Sequence, residues 1–297
     1  MPKARCNGLD LEYETFGDAK HPALVLIMGL GAQLVLWPDE LCHHLAAGGL
    51  HVVRFDNRDI GLSQKLETHR RPKIVRTAIA SMMGFRLKVP YTLDDMARDT
   101  VGLLDALQIR QAHVVGASMG GMIAQIVAAK FPERVRSLGL IMTTSGNPRL
   151  PKPSLQIQLR LIKKPAGSDR ETMVRHGMKT WRMIGSPAFP LTEEMLRGKV
   201  ERSYDRNSDR RGLGRQLQAI LASGSRVPIL KRISAPTLII HGQHDPLVPV
   251  AAAHDLGKHI PGARVEIIPG MGHDLPPELL PQIGGLLVKH AQNTPAH

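Results

Sequence analysis

The sequence has few cysteines, few aromatic residues and no apolar run long enough to cross a membrane. Its 297 residues include two cysteines, Cys6 and Cys42, which lack the spacing of a metal site or of a disulfide framework. Aromatic residues make up 3% of the chain, so aliphatic side chains are expected to fill most of the core. The first residues also lack the basic and then apolar pattern of a secretory signal. We therefore predict a cytoplasmic protein with no metal, no disulfide and no integral membrane association.

The net charge of +13 is concentrated in two segments of the chain. Residues 145–232 contain 19 Lys and Arg against 7 Asp and Glu, and residues 64–90 contain 7 against 1. Such a concentration can attract an anionic ligand or surface, although solvated helix faces are the plainer explanation. Nucleic-acid binding would need a recognised module or aromatic residues interleaved with the basic ones, and the sequence has neither. We therefore predict no nucleic-acid partner.

Short apolar runs alternate with helical patterns along the chain, which is typical of a buried, mainly parallel sheet. Residues 92–107 show one such pattern, because apolar positions recur there at intervals of three and four. The alternation stops after Met142 and resumes at Ala235, which leaves about ninety residues rich in Arg, Lys, Met and Pro. We predict one α/β core, residues 1–145 and 229–297, with a basic helical cap at 146–228. The apolar runs are 24–28, 52–55, 113–115, 138–142, 237–240 and 265–268.

A serine flanked by glycines stands between a predicted strand and a predicted helix. The segment Gly116-Ala117-Ser118-Met119-Gly120 fits the pattern G-x-S-x-G, in which glycines let strand and helix pass closely on either side of a strained serine. The turn exposes the hydroxyl at the end of the strand, and the helix N-terminus supplies free amides and partial positive charge. Ser118 is therefore the predicted nucleophile, and the Met119 N–H is a predicted oxyanion donor.

A nucleophilic serine needs a base, because its hydroxyl is scarcely ionised near neutral pH. His273 is the predicted base, since it follows the last predicted strand on a glycine-rich loop. Asp245 is the predicted acid that orients it, because it lies just past the strand 237–240. Asp274 is the rejected alternative acid, since the side chains of adjacent residues seldom reach the geometry that orients a histidine. His241 is expected to be a packing residue and not the base. The order serine, aspartate, histidine is the one expected with this serine motif.

A second oxyanion donor is expected on the loop after an early strand. Met28-Gly29-Leu30-Gly31 follows the apolar run 24–27, and its glycines permit a tight turn that would present the Leu30 N–H beside that of Met119. A plain structural turn is the alternative. Gly29, Trp37 and Trp181 are predicted to line the substrate pocket, with simple packing as the alternative for the two tryptophans.

These motifs give the chain a family resemblance. Segments 29–31, 37–40, 56–63 and 116–121, together with the Asp245 and His273 motifs, resemble the α/β-hydrolase superfamily over most of the chain. Within it, the Trp37 and Asp56 segments look like the branch that contains aclacinomycin methylesterase and related carboxylesterases. The resemblance implies an eight-stranded, mostly parallel sheet with a helical cap after the sixth strand. One departure is visible, because many relatives have a histidine where this chain has Met28.

The predicted function is hydrolysis of a small-molecule carboxylic ester, anionic or amphiphilic, through an acyl-enzyme and without a cofactor. Dehalogenases and epoxide hydrolases on this fold have an aspartate at the serine position, so the resemblance excludes them. A carbon–carbon bond hydrolase, a thioesterase and a perhydrolase share the same three residues and stay open as alternatives. A ligand-binding protein that keeps the fold without catalysis is the alternative outside the enzymes. The sequence predicts no oligomeric state.

Overall fold

Eight strands form one sheet in the computed structural model, which describes residues 2–67, 74–83, 85, 88–163, 165–209 and 211–294. Their spatial order is β1-β2-β4-β3-β5-β6-β7-β8. The strands β1 and β2 pair antiparallel, as do β2 and β4, and all other pairs are parallel. The predicted eight-stranded, mostly parallel sheet is confirmed. The strands are β1 Lys3–Cys6, β2 Leu9–Phe16, β3 Ala23–Ile27, β4 His51–Phe55, β5 Ala112–Ala117, β6 Val135–Ile141, β7 Thr237–Gly242 and β8 Arg264–Ile268.

The centre of the sheet is buried on both faces. Alternate residues of β3 enter different apolar clusters, because successive side chains of a strand point to opposite faces. Val25 and Ile27 join the cluster under α3 and α4, whereas Leu24 and Leu26 join the one under α1 and α11. A strand covered on both sides must be apolar throughout, which explains the continuous apolar runs. The helices are α1 Asp39–Ala47, α2 Ile74–Met82, α3 Leu93–Ala106, α4 Met119–Lys130, α5 Leu155–Ile162, α6 Arg170–Ile184, α7 Glu193–Arg206, α8 Arg211–Ser223, α9 Val227–Leu230, α10 Ala251–His259 and α11 Leu280–Gln292.

The helix α3 begins where its sequence provides a cap. Thr92 accepts a hydrogen bond from the Asp95 N–H, and the Asp95 carboxylate accepts one from the Thr92 N–H. This reciprocal pair satisfies two amides that lack partners in the first turn. The helix predicted over 92–107 is thus present from 93 to 106.

Helices α5 to α8, here named the inserted helices, lie between β6 and β7, as expected for a cap after the sixth strand. Helices α6 and α7 pack together around Val174, Met178, Leu196 and Val200, a small cluster separate from the two on the sheet. Much of the positive charge of the inserted helices is matched by nearby acids. Part of the other basic segment, 64–90, lies outside the described residues, namely residues 68–73, 84, 86 and 87. The matched pairs include Arg170–Asp205, Arg182–Glu193, Arg197–Glu171, Arg202–Asp39, Arg206–Asp56, Arg211–Asp209 and Arg215–Asp59.

Among the described residues, no helix has both the length and the apolar character that a membrane span requires. In the same part of the chain, no cluster of three His, Cys, Asp or Glu side chains could hold a metal ion. Cys6 and Cys42 are both buried as free thiols, and burial raises the pKa of each to about 12.

Candidate active site

Ser118 lies on a tight turn between β5 and α4. Its backbone has φ +55° and ψ −119°, a left-handed conformation that is uncommon for any residue other than glycine. Two hydrogen bonds hold it there: the Ser118 N–H donates to the Ile141 carbonyl at 3.0 Å, and the Thr143 hydroxyl donates to the Ser118 carbonyl at 2.6 Å. Ser118 is partly exposed while its neighbours in sequence are buried. The turn therefore presents the hydroxyl outward from a rigid support.

Three glycines make this turn possible because no side chain fits at their positions. A Cβ on Gly116 would overlap the Gly120 carbonyl, and a Cβ on Gly120 would overlap the Ile27 carbonyl of the adjacent strand. A Cβ on Gly121 would lie 2.6 Å from Thr143. The close approach of strand and helix that the motif predicts is thus present.

Gly120→Ala is expected to destabilise the protein by about 3 kcal/mol or more, since the added methyl group meets backbone atoms that cannot rotate away. Gly198→Ala is the matched control, because that helical glycine has open space around it and alanine gains about 1 kcal/mol in a helix interior. Urea unfolding of both variants measures the difference. Equal midpoints for Gly120→Ala and the wild type would contradict the described packing.

His273 connects Ser118 to Asp245. Its Nε2 lies 3.1 Å from the Ser118 Oγ, and its Nδ1 lies 2.7 Å from the Asp245 Oδ2. A carboxylate can only accept, so Nδ1 carries the proton and Nε2 is left as an acceptor for the serine hydroxyl. The other oxygen, Asp245 Oδ1, accepts from the Leu247 and Val248 amides at 2.9 and 2.7 Å. The three predicted side chains thus come together in an order suited to proton transfer.

The loop that carries His273 is fixed by the end of α6. The His273 N–H donates to the Ile184 carbonyl at 2.7 Å, and the Gly272 N–H donates to the Ser186 hydroxyl at 2.9 Å. The same hydroxyl lies 2.5 Å from Asp274 Oδ1, so Asp274 is engaged with Ser186. Burial raises the pKa of Asp274, although the hydrogen bond to Ser186 opposes that shift. The rejected alternative acid therefore helps to hold the loop.

His241 lies beneath the acid and is fully buried, as expected of a packing residue. Its Nε2 is 2.8 Å from the Val248 carbonyl and 3.6 Å from Asp245 Oδ2. Burial lowers its pKa, so the ring is neutral and donates its Nε2 proton to the carbonyl. The ring thereby supports the loop that carries Asp245.

The loop 28–31 lies against Ser118. A Cβ on Gly29 would be 3.1 Å from the Ser118 Cβ and 3.6 Å from its Oγ, so the backbone of the loop lies close to the nucleophile. The Leu30 N–H has no acceptor among the described residues, and the Met119 N–H, first in α4, has no partner within its helix. Both predicted donor amides thus lack an acceptor among the described residues; one belongs to the loop that lies against Ser118, and the other to the residue that follows it.

The loop does not depend on the histidine that Met28 replaces. The Asn57 side chain donates to the Met28 carbonyl at 2.9 Å in a buried position. The neighbouring Asp56 accepts from the Leu34 amide at 2.7 Å and from the Leu62 amide at 2.8 Å. The bond to Leu34 connects the segment 56–63 to the residues that follow the loop 28–31. The segment that carries the resemblance therefore acts as a brace for the loop 28–31.

The comparisons with known proteins match this architecture. The family model for the α/β-hydrolase fold matches residues 22–278. The chain belongs to the α/β-hydrolase family. Rhodomycin D methylesterase DauP of Streptomyces sp. (strain C5) is 32% identical over 285 residues, covering 89% of this chain and 88% of its own length. The predicted resemblance to the methylesterase branch is confirmed by this relative.

Two further comparisons are more distant. A 2-hydroxy-6-oxononadienedioate/2-hydroxy-6-oxononatrienedioate hydrolase of Cupriavidus pinatubonensis is 30% identical over 176 residues, which is 58% of this chain and 59% of that protein. The crystal structure of the enol-lactonase from Burkholderia xenovorans LB400 superposes with a TM-score of 0.76 at 23% identity, covering 98% of this chain and all of the other. The latter likeness establishes the shared fold.

The two tryptophans of this α/β hydrolase occupy different environments. Trp37 is fully buried in the cluster under α1, and its indole N–H has no acceptor among the described residues. Trp181 is half-buried on α6, and the Lys199 ammonium lies 3.8 Å from the centre of its ring. Of the two tryptophans predicted to line the pocket, Trp181 thus lies beside the ammonium of Lys199 on α7, whereas Trp37 lies in the core.

A second serine and histidine pair lies within the sheet of the α/β hydrolase. His113 Nδ1 on β5 is 2.8 Å from the Ser137 Oγ on β6. Both residues are buried, and burial lowers the pKa of His113 to about 4. Among the described residues, no carboxylate forms a hydrogen bond with this histidine. Unlike Ser118, Ser137 is not partly exposed, does not lie on a tight turn, and has a histidine partner without an orienting carboxylate among the described residues.

Proposed function

We propose that this α/β hydrolase cleaves carboxylic esters through an acyl-enzyme formed on Ser118. The observation that carries the proposal is the alignment of Ser118 Oγ, His273 and Asp245 at 3.1 and 2.7 Å. The proposed oxyanion donors are the Leu30 N–H, on the loop that lies against Ser118, and the Met119 N–H, at the start of α4. The similarity to a methylesterase supports an ester as the substrate.

The reaction proceeds in two halves. Ser118 Oγ attacks the ester carbonyl carbon while His273 Nε2 takes the hydroxyl proton, and Asp245 stabilises the imidazolium that forms. The amides of Leu30 and Met119 donate to the oxygen that becomes negative, and each such donor contributes about 3 to 4 kcal/mol in related chemistry. The imidazolium then protonates the departing alcohol as the carbon–oxygen bond breaks. Water, deprotonated by His273, attacks the acyl-enzyme and releases the acid and Ser118.

The segment 146–228 is proposed to cover this site as a cap. Its support is direct contact with the site, because the Ile184 carbonyl on α6 accepts from the His273 N–H at 2.7 Å. On the opposite side, the Gln33 side chain donates to the Ser203 carbonyl at the end of α7 at 2.6 Å. A cover attached on both sides shields the acyl-enzyme from bulk water and shapes the pocket.

A panel of p-nitrophenyl esters of graded chain length, with an anilide and a thioester of the same acyl groups, tests the proposed reaction. We expect ester turnover to exceed anilide turnover by orders of magnitude and thioester turnover to be lower. Wild-type protein that binds these compounds without turnover would support a ligand-binding protein. Thioester turnover faster than ester turnover would support a thioesterase, and perhydrolysis faster than hydrolysis would support a perhydrolase.

Carbon–carbon bond hydrolysis is the second candidate. The similarity to a hydrolase whose named substrate is an oxo dicarboxylate favours it. That similarity covers 58% of the chain, against 89% for the methylesterase. A vinylogous diketone in the same panel separates the two reactions, because only a carbon–carbon hydrolase would bleach its conjugated chromophore.

The preferred ester is proposed to carry an anionic group. Most cap arginines described above are paired with acids, but Lys199 forms no hydrogen bond or ion pair with any described residue. Its ammonium lies over Trp181, one helical turn before the Ile184 carbonyl that holds His273. Burial lowers the pKa of Lys199 to about 8, while Asp274 opposes the shift. A substrate carboxylate would supply the partner that this ammonium lacks.

Lys199→Met is expected to raise KM about tenfold for an ester with a carboxylate in its acyl part and to leave a neutral isostere within about twofold. The advantage of the anionic ester in the wild type should fall between pH 7 and 9, since the ammonium loses its proton as pH rises through about 8. Lys179→Met is the control, because Lys179 is exposed on α6. The same KM change for both esters would contradict the proposed anion contact.

A further inference from the structure

The side chain of Gln216 connects the inserted helix α8 to the loop 28–31. Its Oε1 accepts from the Gly31 N–H at 2.9 Å, and its Nε2 donates to the Arg58 carbonyl at 2.9 Å. The residue is fully buried. Each end of the carboxamide therefore has the partner that its chemistry requires, and the side chain joins two core segments that are far apart in sequence.

Other contacts place α8 firmly against the same segments. Arg215 makes two buried hydrogen bonds to Asp59, at 2.7 and 2.8 Å. A Cβ on Gly212 would overlap the Asp59 carbonyl, so the helix backbone approaches that residue closely. The Leu213 Cδ1 lies 2.5 Å from the position of a Cβ on Gly31, which has φ +67°. The helix thus encloses Gly31 by packing as well as by a hydrogen bond.

Gly31 directly follows the proposed oxyanion donor Leu30. The peptide that contains the Gly31 N–H also contains the Leu30 carbonyl, so rotation of that peptide changes the direction of the backbone at Leu30. Donors stabilise an oxyanion only within a narrow distance range of about 2.7–3.1 Å. A hydrogen bond that fixes the Gly31 peptide therefore affects the direction in which the Leu30 N–H points.

We infer that Gln216 is a positioning residue, which holds the Leu30 amide in place for the oxyanion through the Gly31 peptide. The inference rests on the proposed ester hydrolysis and extends it. Since Gln216 belongs to α8, the inserted helices complete the oxyanion hole and do not only cover it. Asn57 braces one end of the loop from the core, and Gln216 braces the other end from the insertion.

The test compares Gln216→Met with Gln218→Met. Gln218 lies on the same helix, is also buried, and donates to the Thr77 hydroxyl at 2.9 Å, away from the loop. Both changes remove a buried carboxamide, and Gln216→Met is expected to lower Tm at least as much as Gln218→Met, because Gln216 makes two hydrogen bonds to the backbone. Only Gln216→Met is expected to lower kcat, by at least about tenfold with KM within about twofold, because the lost interaction acts on the transition state.

The Ki of a trifluoromethyl ketone inhibitor provides a measurement that a change in protein stability alone does not alter. Its adduct with Ser118 places an oxyanion against the Leu30 and Met119 amides, so its Ki should rise in Gln216→Met by the same factor as kcat falls. Ki and kcat within twofold of wild type in folded Gln216→Met would overturn the inference, as would equal losses in both variants. If Gln216→Met does not fold, Gln216→Asn, whose carboxamide is one methylene shorter and cannot keep both bonds, should lower kcat at least about threefold; an unchanged kcat would overturn the inference.

The same experiment distinguishes failure of the proposed function from failure of the inference about Gln216. If wild-type protein hydrolyses no ester, the proposed function and this inference fall together. If the wild type is active and Ser118→Ala is inactive, but Gln216→Met behaves as the wild type, the inference alone falls.

Discussion

Ser118→Ala is expected to lower kcat for ester hydrolysis by about 10⁵-fold or more, with the fold intact. In the proposed mechanism the Ser118 Oγ attacks the ester and carries the acyl group, and alanine has no group that can do either. Only the binding site and the two amides would remain, and they accelerate attack by water modestly. The change removes one partly exposed oxygen, so the urea midpoint should stay near that of the wild type. Steady-state kinetics with the preferred p-nitrophenyl ester measures the loss.

Ser137→Ala is the matched control for that experiment. Ser137 also faces a histidine, at 2.8 Å, but it is buried within the sheet without an orienting acid. We expect Ser137→Ala to lose stability, because His113 loses a buried partner, and to keep kcat within about twofold. Activity in Ser118→Ala above about a tenth of wild type would contradict the assignment of the nucleophile.

Asp245→Asn is expected to lower kcat by about 10⁴-fold. An asparagine presents an amide group to His273 Nδ1, and its NH₂ donor there would favour the tautomer that carries its proton on Nε2. That tautomer cannot accept the serine proton. The uncharged side chain also removes the stabilisation of the imidazolium. The kcat of Asp245→Asn, measured beside its KM, gives the effect.

Asp274→Asn provides the comparison within the same loop. Asp274 Oδ1 bonds to the Ser186 hydroxyl, and asparagine keeps an oxygen that can accept from it. A loss of at most about tenfold is therefore expected, arising from loop placement. A larger loss of kcat in Asp274→Asn than in Asp245→Asn would reverse the assignment of the acid.

The central strands could be predicted from the sequence because they are buried on both faces. Such strands are apolar at every position, so β3 and β7 appear as continuous apolar runs. The strand β1 alternates exposed and buried residues and contains Lys3 and Arg5, so it has no comparable run. The strands β1 and β2 followed only from the family resemblance.

The candidate site could be predicted because its residues follow strands and a local motif. Ser118, Asp245 and His273 each follow a strand of the parallel sheet, and the carboxyl ends of such strands meet at one edge. Trp37 was harder to place, because nearness in sequence to the loop 28–31 does not give the direction of a side chain. The structure shows it among core residues under α1.

Gln216 could not be predicted as a partner of the loop 28–31. The bond joins residues 185 positions apart, and one end lies in an insertion without a recognisable motif. Its helix reads as an ordinary amphipathic helix, in which a buried glutamine has no distinguishing pattern. The basic character of the insertion was visible, but its pairing with acids on α6, α7 and the core depends on the helix packing.

Covalent labelling with a fluorophosphonate, followed by mass analysis of the peptides, tests the central claim most directly. The reagent reacts with a serine whose proton is removed by a neighbouring base, so it reports the cooperation of Ser118 and His273 without choosing a substrate. We expect one adduct, on the peptide that contains Ser118, with no adduct in Ser118→Ala and strongly slowed labelling in His273→Ala. A folded wild-type protein that acquires no adduct, or acquires it on another serine, would contradict the account.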